Sequence, residues 1–188
     1  MDSRFQTLVL SNKEVVDIAN DELVRGAVEE AFGLAGRGMA QMPAKSYLMF
    51  TEHSGDLRTM PAYLPSLKAA GVKVVNSHPK NSGIGFPTVM AVIVLNDPAS
   101  GFPICILAAS ALTALRTGAA GALAAKHLAR PDARSAGFIG AGMQARHQYR
   151  FLRLVRDLET VRVYDIDGAR AGRFCDDIRP DGVEASST

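Results

Sequence analysis

Two cysteines, Cys105 and Cys175, are the chain's whole complement, and they stand far apart in unrelated contexts. They form no Cys-x-x-Cys redox or metal motif and no disulfide framework, so they read as buried thiols in a reducing cytoplasm. The four histidines, His53, His78, His127 and His147, lack metal-ligand spacing, and no metal is expected. No apolar run reaches the roughly 18 residues that a membrane-spanning helix requires, so no membrane contact is expected. The first residues, MDSRFQTLVLSNKE, lack a basic segment followed by a long apolar core, which argues against a signal peptide. Net charge is only +2 and no basic block occurs, which argues against nucleic acid as a partner. What remains is the composition of a soluble globular chain, 47% hydrophobic over 188 residues, with room for one or two domains.

The pattern along the chain is α/β. Ser11 and Glu14 form an S-x-x-E capping box that marks a helix start. Leu23, Val24, Ala27, Val28, Ala31 and Phe32 then give that helix an apolar face, and Gly33, Gly36 and Gly38 end it. Lys45 to Thr51 and Leu57 to Met60 read as a hairpin around His53-Ser54-Gly55-Asp56. Val72 to Asn76 is a further strand. Thr88 to Leu95 and Phe102 to Leu107, joined by NDPASG, read as strands buried on both faces. The alanine-rich stretch Ser110 to Leu128 reads as a helix. Pro131 and Asp132 close it, which places a domain boundary at about residue 130.

The most specific signal is Ser135 to Asp167, SAGFIGAGMQARHQYRFLRLVRDLETVRVYDID. It reads as strand, glycine turn, helix, second strand and a terminal acid. Gly140, Gly142 and the small Ala145 fill a G-x-G-x-x-G/A pattern. The first glycine permits the tight turn, the second lets a pyrophosphate approach the backbone, and the small third residue lets helix and strand pack closely. The helix N-terminus then offers unpaired N–H groups and its positive dipole end to phosphate. Asp165 stands where an acid accepts hydrogen bonds from the adenosine ribose, which predicts NAD over NADP as cofactor. Asp167 adds a second negative charge, and Arg170 and Arg173 soften the preference. Residues 131–188 are therefore expected to be the first part of a Rossmann domain, with two strands accounted for and the second left as an edge. On this reading the sequence is the front portion of a longer enzyme.

Residues 1–130 carry four cations at turns and strand ends: Lys45, Arg58, Lys73 and Arg116. Lys45 and Arg58 are expected to face one another across the hairpin, an arrangement that needs an anion between them. Lys73 lies in an apolar strand, GVKVV, and Arg116 in a helix of small residues. Beside a nicotinamide-type domain, the four together fit an anionic substrate. A guanidinium holds a carboxylate bidentately, and a lysine crowded by cations serves as a base near neutral pH.

The phrases MPAKSYL, GDLRTMPAYLP, GVKVVNSHPKN, GFPTVMAVIVLNDPASGFP, LTALRTGAAGALAAKHLAR and GFIGAGMQAR, in this order and spacing, resemble the ornithine cyclodeaminase/mu-crystallin family. Within it, the Lys of MPAKSYL, the Arg of GDLR and VKVVNSHP most resemble the archaeal type of alanine dehydrogenase. The resemblance implies a β-rich substrate and dimerisation domain, a Rossmann domain with NAD, and a homodimer. It implies NAD-dependent oxidative deamination of a small L-amino acid. The alternatives are conversion of L-ornithine to L-proline with loss of ammonia, imine reduction, or a non-catalytic ligand-binding protein. By the same resemblance Lys45 and Arg58 grip the substrate carboxylate and Lys73 is catalytic. Thr88 touches the cofactor, and Arg116 bridges cofactor and substrate. Met143 and Gln144 contact the pyrophosphate, and Asp165 contacts the ribose. Ala108 stands where the family usually has an acid, and the family's catalytic aspartate is expected beyond residue 188.

Overall fold

A computed structural model describes residues 6–188. They form two compact units, one of residues up to Asn20 with Glu30–Thr113, the other of Asp21–Glu29 with Ala114–Thr188. The elements of the first unit begin with β1 (Leu8–Leu10) and α1 (Asn12–Ile18). Helix α2 (Asp21–Gly36) follows, its first residues counted with the second unit. Five strands complete the unit: β2 (Ser46–Phe50), β3 (Gly55–Leu64), β4 (Ala69–Ser77), β5 (Val89–Asn96) and β6 (Pro103–Ala108).

The Ser11 box is present. The Ser11 hydroxyl accepts from the Glu14 backbone and the Glu14 carboxylate accepts from the Ser11 backbone at 2.8 Å, so two orphan donors are satisfied at once. The expected single helix is in fact two. α1 stops at Ile18, and α2 opens after Asn20, at residue types that favour helix starts over helix interiors. Strand β1, unmarked by any turn signal in the sequence, pairs parallel with β6.

The strands form one six-stranded sheet in the order β1-β6-β5-β4-β3-β2, antiparallel apart from the β1–β6 pair. One face is covered. Val75, Ala91, Cys105 and Leu107 point to it and pack with Val15 of α1 and Ala109. The opposite face carries Val9, Leu48, Val92 and Ile106, all exposed. The expectation that β5 and β6 are buried on both faces is therefore corrected. Within this chain one side of each is covered and the other is an apolar surface.

The second unit contains α3 (Ser110–Leu128), β7 (Ser135–Ile139), α4 (Met143–Leu152), β8 (Thr160–Tyr164), α5 (Gly168–Ile178) and β9 (Glu184–Ser187). Residues 114–128 of α3 belong to it, so the units divide within α3 and not near residue 130. The reason is the small residues. A Cβ built at Gly118 would lie 2.5 Å from the His147 carbonyl oxygen and 2.9 Å from the Phe151 ring, so α4 rests directly on the α3 backbone. The Gln148 amide donates to the Thr117 carbonyl across the same crossing, at 3.1 Å.

Strands β7, β8 and β9 form a parallel sheet in that order. The edge expected at β8 is thus paired, because the tail supplies a third strand. Helix α5 also escaped the sequence reading, although its buried residues Ala171, Phe174, Cys175 and Ile178 recur at helical spacing. They close a core with Val161, Val163, Tyr149 and Ala185. Within it Phe138, Tyr149 and Phe174 meet edge to face, with centroids 5.5–6.3 Å apart.

The α3–α4 crossing separates two substitutions that look alike in sequence. Gly118→Ala forces a methyl against backbone and is expected to cost about 1–3 kcal/mol, outweighing the gain in helix propensity. Gly121→Ala meets only the movable end of Gln148 and is expected to change stability by less than about 1 kcal/mol. Thermal unfolding of the two variants checks this. A Gly118→Ala protein as stable as the parent would contradict the crossing.

Candidate functional site

In the first unit, strand register decides which cations share a surface. Arg58 lies opposite Val75, and Lys73 lies opposite Met60 on one side and Ile93 on the other. Residues directly opposite in a sheet share a face, and so do residues two apart in a strand. Arg58 and Lys73 are therefore diagonal neighbours on the covered face, a relation that puts Cβ atoms about 7–8 Å apart. Val75 and Ile93 beside them belong to the apolar cluster, so the lysine rises from an apolar floor.

The expected pairing of Lys45 with Arg58 is not found. Tyr47 is the residue opposite Arg58, and Lys45 lies just before β2 begins. The Arg58 guanidinium lies over the Tyr47 ring, 5.5 Å from its centroid. The anion beside Arg58 is internal. Asp56, two residues back on the same face, takes Nε and Nη2 in two bonds of 2.7 Å. These hydrogen bonds hold the guanidinium pKa above its usual value, so Arg58 is a fixed cation. Its Nη1 edge is not part of this pair. Thr88 sits just before β5, where its carbonyl accepts from the His78 backbone at 2.8 Å.

In the second unit the glycine turn is built as the spacing demands. Gly140 follows β7 with φ +96, a conformation that glycine adopts without strain, and its N–H donates to the Tyr164 carbonyl at 2.7 Å. Gly142 caps α4, and Met143 and Gln144 are the helix's first two residues. A Cβ at Gly140 or Gly142 would meet nothing within 4 Å, so the space beside both glycines is open. Gln144 reaches the Ala114 carbonyl at 3.5 Å. Arg116 stands on α3 among small residues. Desolvation lowers its pKa, and among the described residues no carboxylate pairs with it.

Asp165 is more constrained than its sequence position shows. One carboxylate oxygen accepts from the Ala141 N–H of the glycine turn at 2.7 Å, the other from the Asp167 N–H at 2.9 Å. The two backbone donors hold its pKa below the usual carboxylate value, with the Arg170 charge adding to the effect. The acid thus fixes the turn as well as standing beside it. Each oxygen keeps a second lone pair for a hydroxyl donor.

The structure therefore brings together Arg58 and Lys73 in one unit, and Gly140, Gly142, Met143, Gln144 and Asp165 in the other. It leaves Lys45 out of register with Arg58. Asp56 and Tyr47, the partners of Arg58, were missed in the sequence. The acid of GDLR, two residues from the arginine, was the available signal for Asp56.

A parallel sheet whose first strand ends in a glycine turn at a helix N-terminus, with a carboxylate ending the second strand, is the front of a dinucleotide-binding fold. The model of the ornithine cyclodeaminase/mu-crystallin family matches residues 5–188, and the chain belongs to that family. It is 47% identical over 181 residues to alanine dehydrogenase of Archaeoglobus fulgidus, covering 96% of this chain and 55% of that protein. The chain thus spans about half the length of that curated relative. Among solved structures it resembles an archaeal alanine dehydrogenase dimer with bound NAD, at a TM-score of 0.92 and 47% identity, over 97% of this chain and 56% of that one. It also resembles Δ1-pyrroline-2-carboxylate reductase of Thermococcus litoralis in complex with NADH and L-proline. There the TM-score is 0.91 at 38% identity, over 97% of this chain and 57% of that one. No helix among the described residues is long and apolar enough to cross a membrane.

The Asp165 bonds predict a pH response. A carboxylate with a depressed pKa contributes its stabilisation above the unfolded value of about 3.9 and loses it as pH falls through the lower folded value. The Ala141 amide resonance is expected to shift with a midpoint below that of an ordinary aspartate. A midpoint at or above about 3.9 would refute the bond.

Proposed function

We propose that the chain supplies the substrate-gripping unit and the first part of the NAD-binding unit of an enzyme that oxidatively deaminates a small L-amino acid. The observation that carries this reading is the placement of Arg58 and Lys73 on one sheet face of a chain so similar to alanine dehydrogenase. Arg58, oriented by Asp56, offers its remaining N–H groups to the substrate carboxylate, with Lys45 as a second cation nearby. Lys73 takes a proton from the substrate ammonium, gives it up to solvent after the oxidation, and then takes one from the water that attacks the imine carbon and returns it to the departing amine. Thr88 and Arg116 contact the cofactor, Arg116 on its substrate side.

The glycine turn fits NAD. The open side of Gly140 and Gly142 admits the pyrophosphate, Met143 and Gln144 present the first turn of α4, and Asp165 takes the ribose hydroxyls. When bound, NAD accepts the hydride from the substrate α-carbon. The balance is amino acid, NAD⁺ and water in; 2-oxo acid, ammonium, NADH and a proton out. The apolar face of Val9, Leu48, Val92 and Ile106 is the surface for a second copy, in line with the dimer described for the archaeal relative.

A second reading, reduction of a cyclic imine, draws on the likeness to the Thermococcus reductase. The same residues would serve it, with Lys73 protonating the imine nitrogen. Assays on the protein separate the two. L-Alanine with NAD⁺ is expected to yield NADH and ammonia together. Consumption of NADH with a cyclic imine, and no reaction of L-alanine, would favour the reductase. Ammonia from L-ornithine without net NADH would indicate a cyclodeaminase. Lys73→Ala is expected to lower kcat about a hundredfold or more while NAD still binds. Kinetics within twofold of the parent would reduce Lys73 to a surface lysine.

A further inference from the structure

The turn after β8 and the start of α5 hold four charges in nine residues: Asp165, Asp167, Arg170 and Arg173. Asp165 is engaged by two backbone N–H groups, one of them the N–H of Asp167, so the two acids are tied into one short turn. The Asp167 side chain caps α5, accepting from the Arg170 backbone at 3.2 Å. Its carboxylate also stands 3.9 Å from the Arg170 Nε and 4.0 Å from the Arg173 Nη2. These separations are long and all three side chains are largely exposed, so no fixed geometry locks the arginines. What Asp167 supplies is charge. Two carboxylates and two guanidiniums cancel at the edge where a ribose would lie.

We propose that Asp167 is a nucleotide-specificity residue: it neutralises Arg170 and Arg173, which otherwise form a site for the 2′-phosphate of NADP. The proposal rests on the reading that NAD occupies the Gly140–Asp165 turn. A 2′-phosphate carries nearly two negative charges and takes planar guanidinium donors well. With both acids ionised it meets no net positive charge. With Asp167 uncharged, two arginines face it against Asp165 alone. Arg170 is already close enough for its charge to act on Asp165. The neighbouring ions further along α5 do not enter this sum, since Asp176 pairs with Arg179 and Asp177 with Arg146.

Asp167→Asn isolates the charge, because asparagine caps a helix as well as aspartate and the backbone N–H to Asp165 is untouched. Calorimetric titration of NAD and NADP into the parent, Asp167→Asn, and Asp167→Asn combined with Arg170→Gln and Arg173→Gln tests the proposal. NADP affinity is expected to rise about tenfold in Asp167→Asn, with NAD affinity within twofold of the parent. The gain is expected to shrink on raising salt and to vanish in the triple variant. NAD binding with no gain for NADP, or a gain that survives loss of both arginines, overturns this proposal alone. Failure of the parent to bind NAD overturns it together with the reading of the turn.

Discussion

The pairing of β3 with β4 runs through nine residue pairs, from Asp56 with Ser77 to Leu64 with Ala69. Side chains alternate between faces along each strand, so a slip of one residue would turn Arg58 or Lys73 away from the other. The register is held by burial. Val75, Ala91 and Leu107 must all reach the side covered by α1, and they do so only in this alignment. The apolar core thus fixes the geometry of the two cations.

The second unit uses a different device. Its turn is flexible by composition, with Gly140 and Gly142 around a single alanine. Flexibility suits close approach of a phosphate but gives no preferred shape. Asp165 supplies the shape by accepting from the backbone of the turn, and the Gly140 N–H closes the same strand end on Tyr164. Beneath it, the aromatic contacts of Phe138, Tyr149 and Phe174 seat α4 and α5 on the sheet. Carboxylates recur in this role. Asp56 orients Arg58, Asp165 the glycine turn, and Asp167 the start of α5. Asp56 and Asp167 act on groups two and three residues away in sequence, whereas Asp165 reaches back 24 residues to Ala141.

Close contact between helices is the other constraint. The α3 sequence reads as a helix whichever way it packs, since alanine stabilises any helix. Gly118 is what lets the His147 backbone come near, and that contact draws α3 into the second unit. A boundary placed by proline and loop composition alone falls about sixteen residues late, because composition marks where the chain turns and not which surface a helix covers.

The sequence by itself determined the α/β class, the hairpin, the α3 span, and the glycine turn with its acid. These are local signals: alternation, capping chemistry, alanine content and fixed motif spacing. Only the tertiary structure decided what each residue meets. Three-residue β1 and four-residue β9 are too short to carry a periodic pattern and exist because a neighbouring strand offers an edge. Tyr47, and not Lys45, lies opposite Arg58 because register is set by the whole sheet. Strands β5 and β6 look buried on both faces because their sequences are apolar throughout, but burial depends on what covers a face, and α1 covers one.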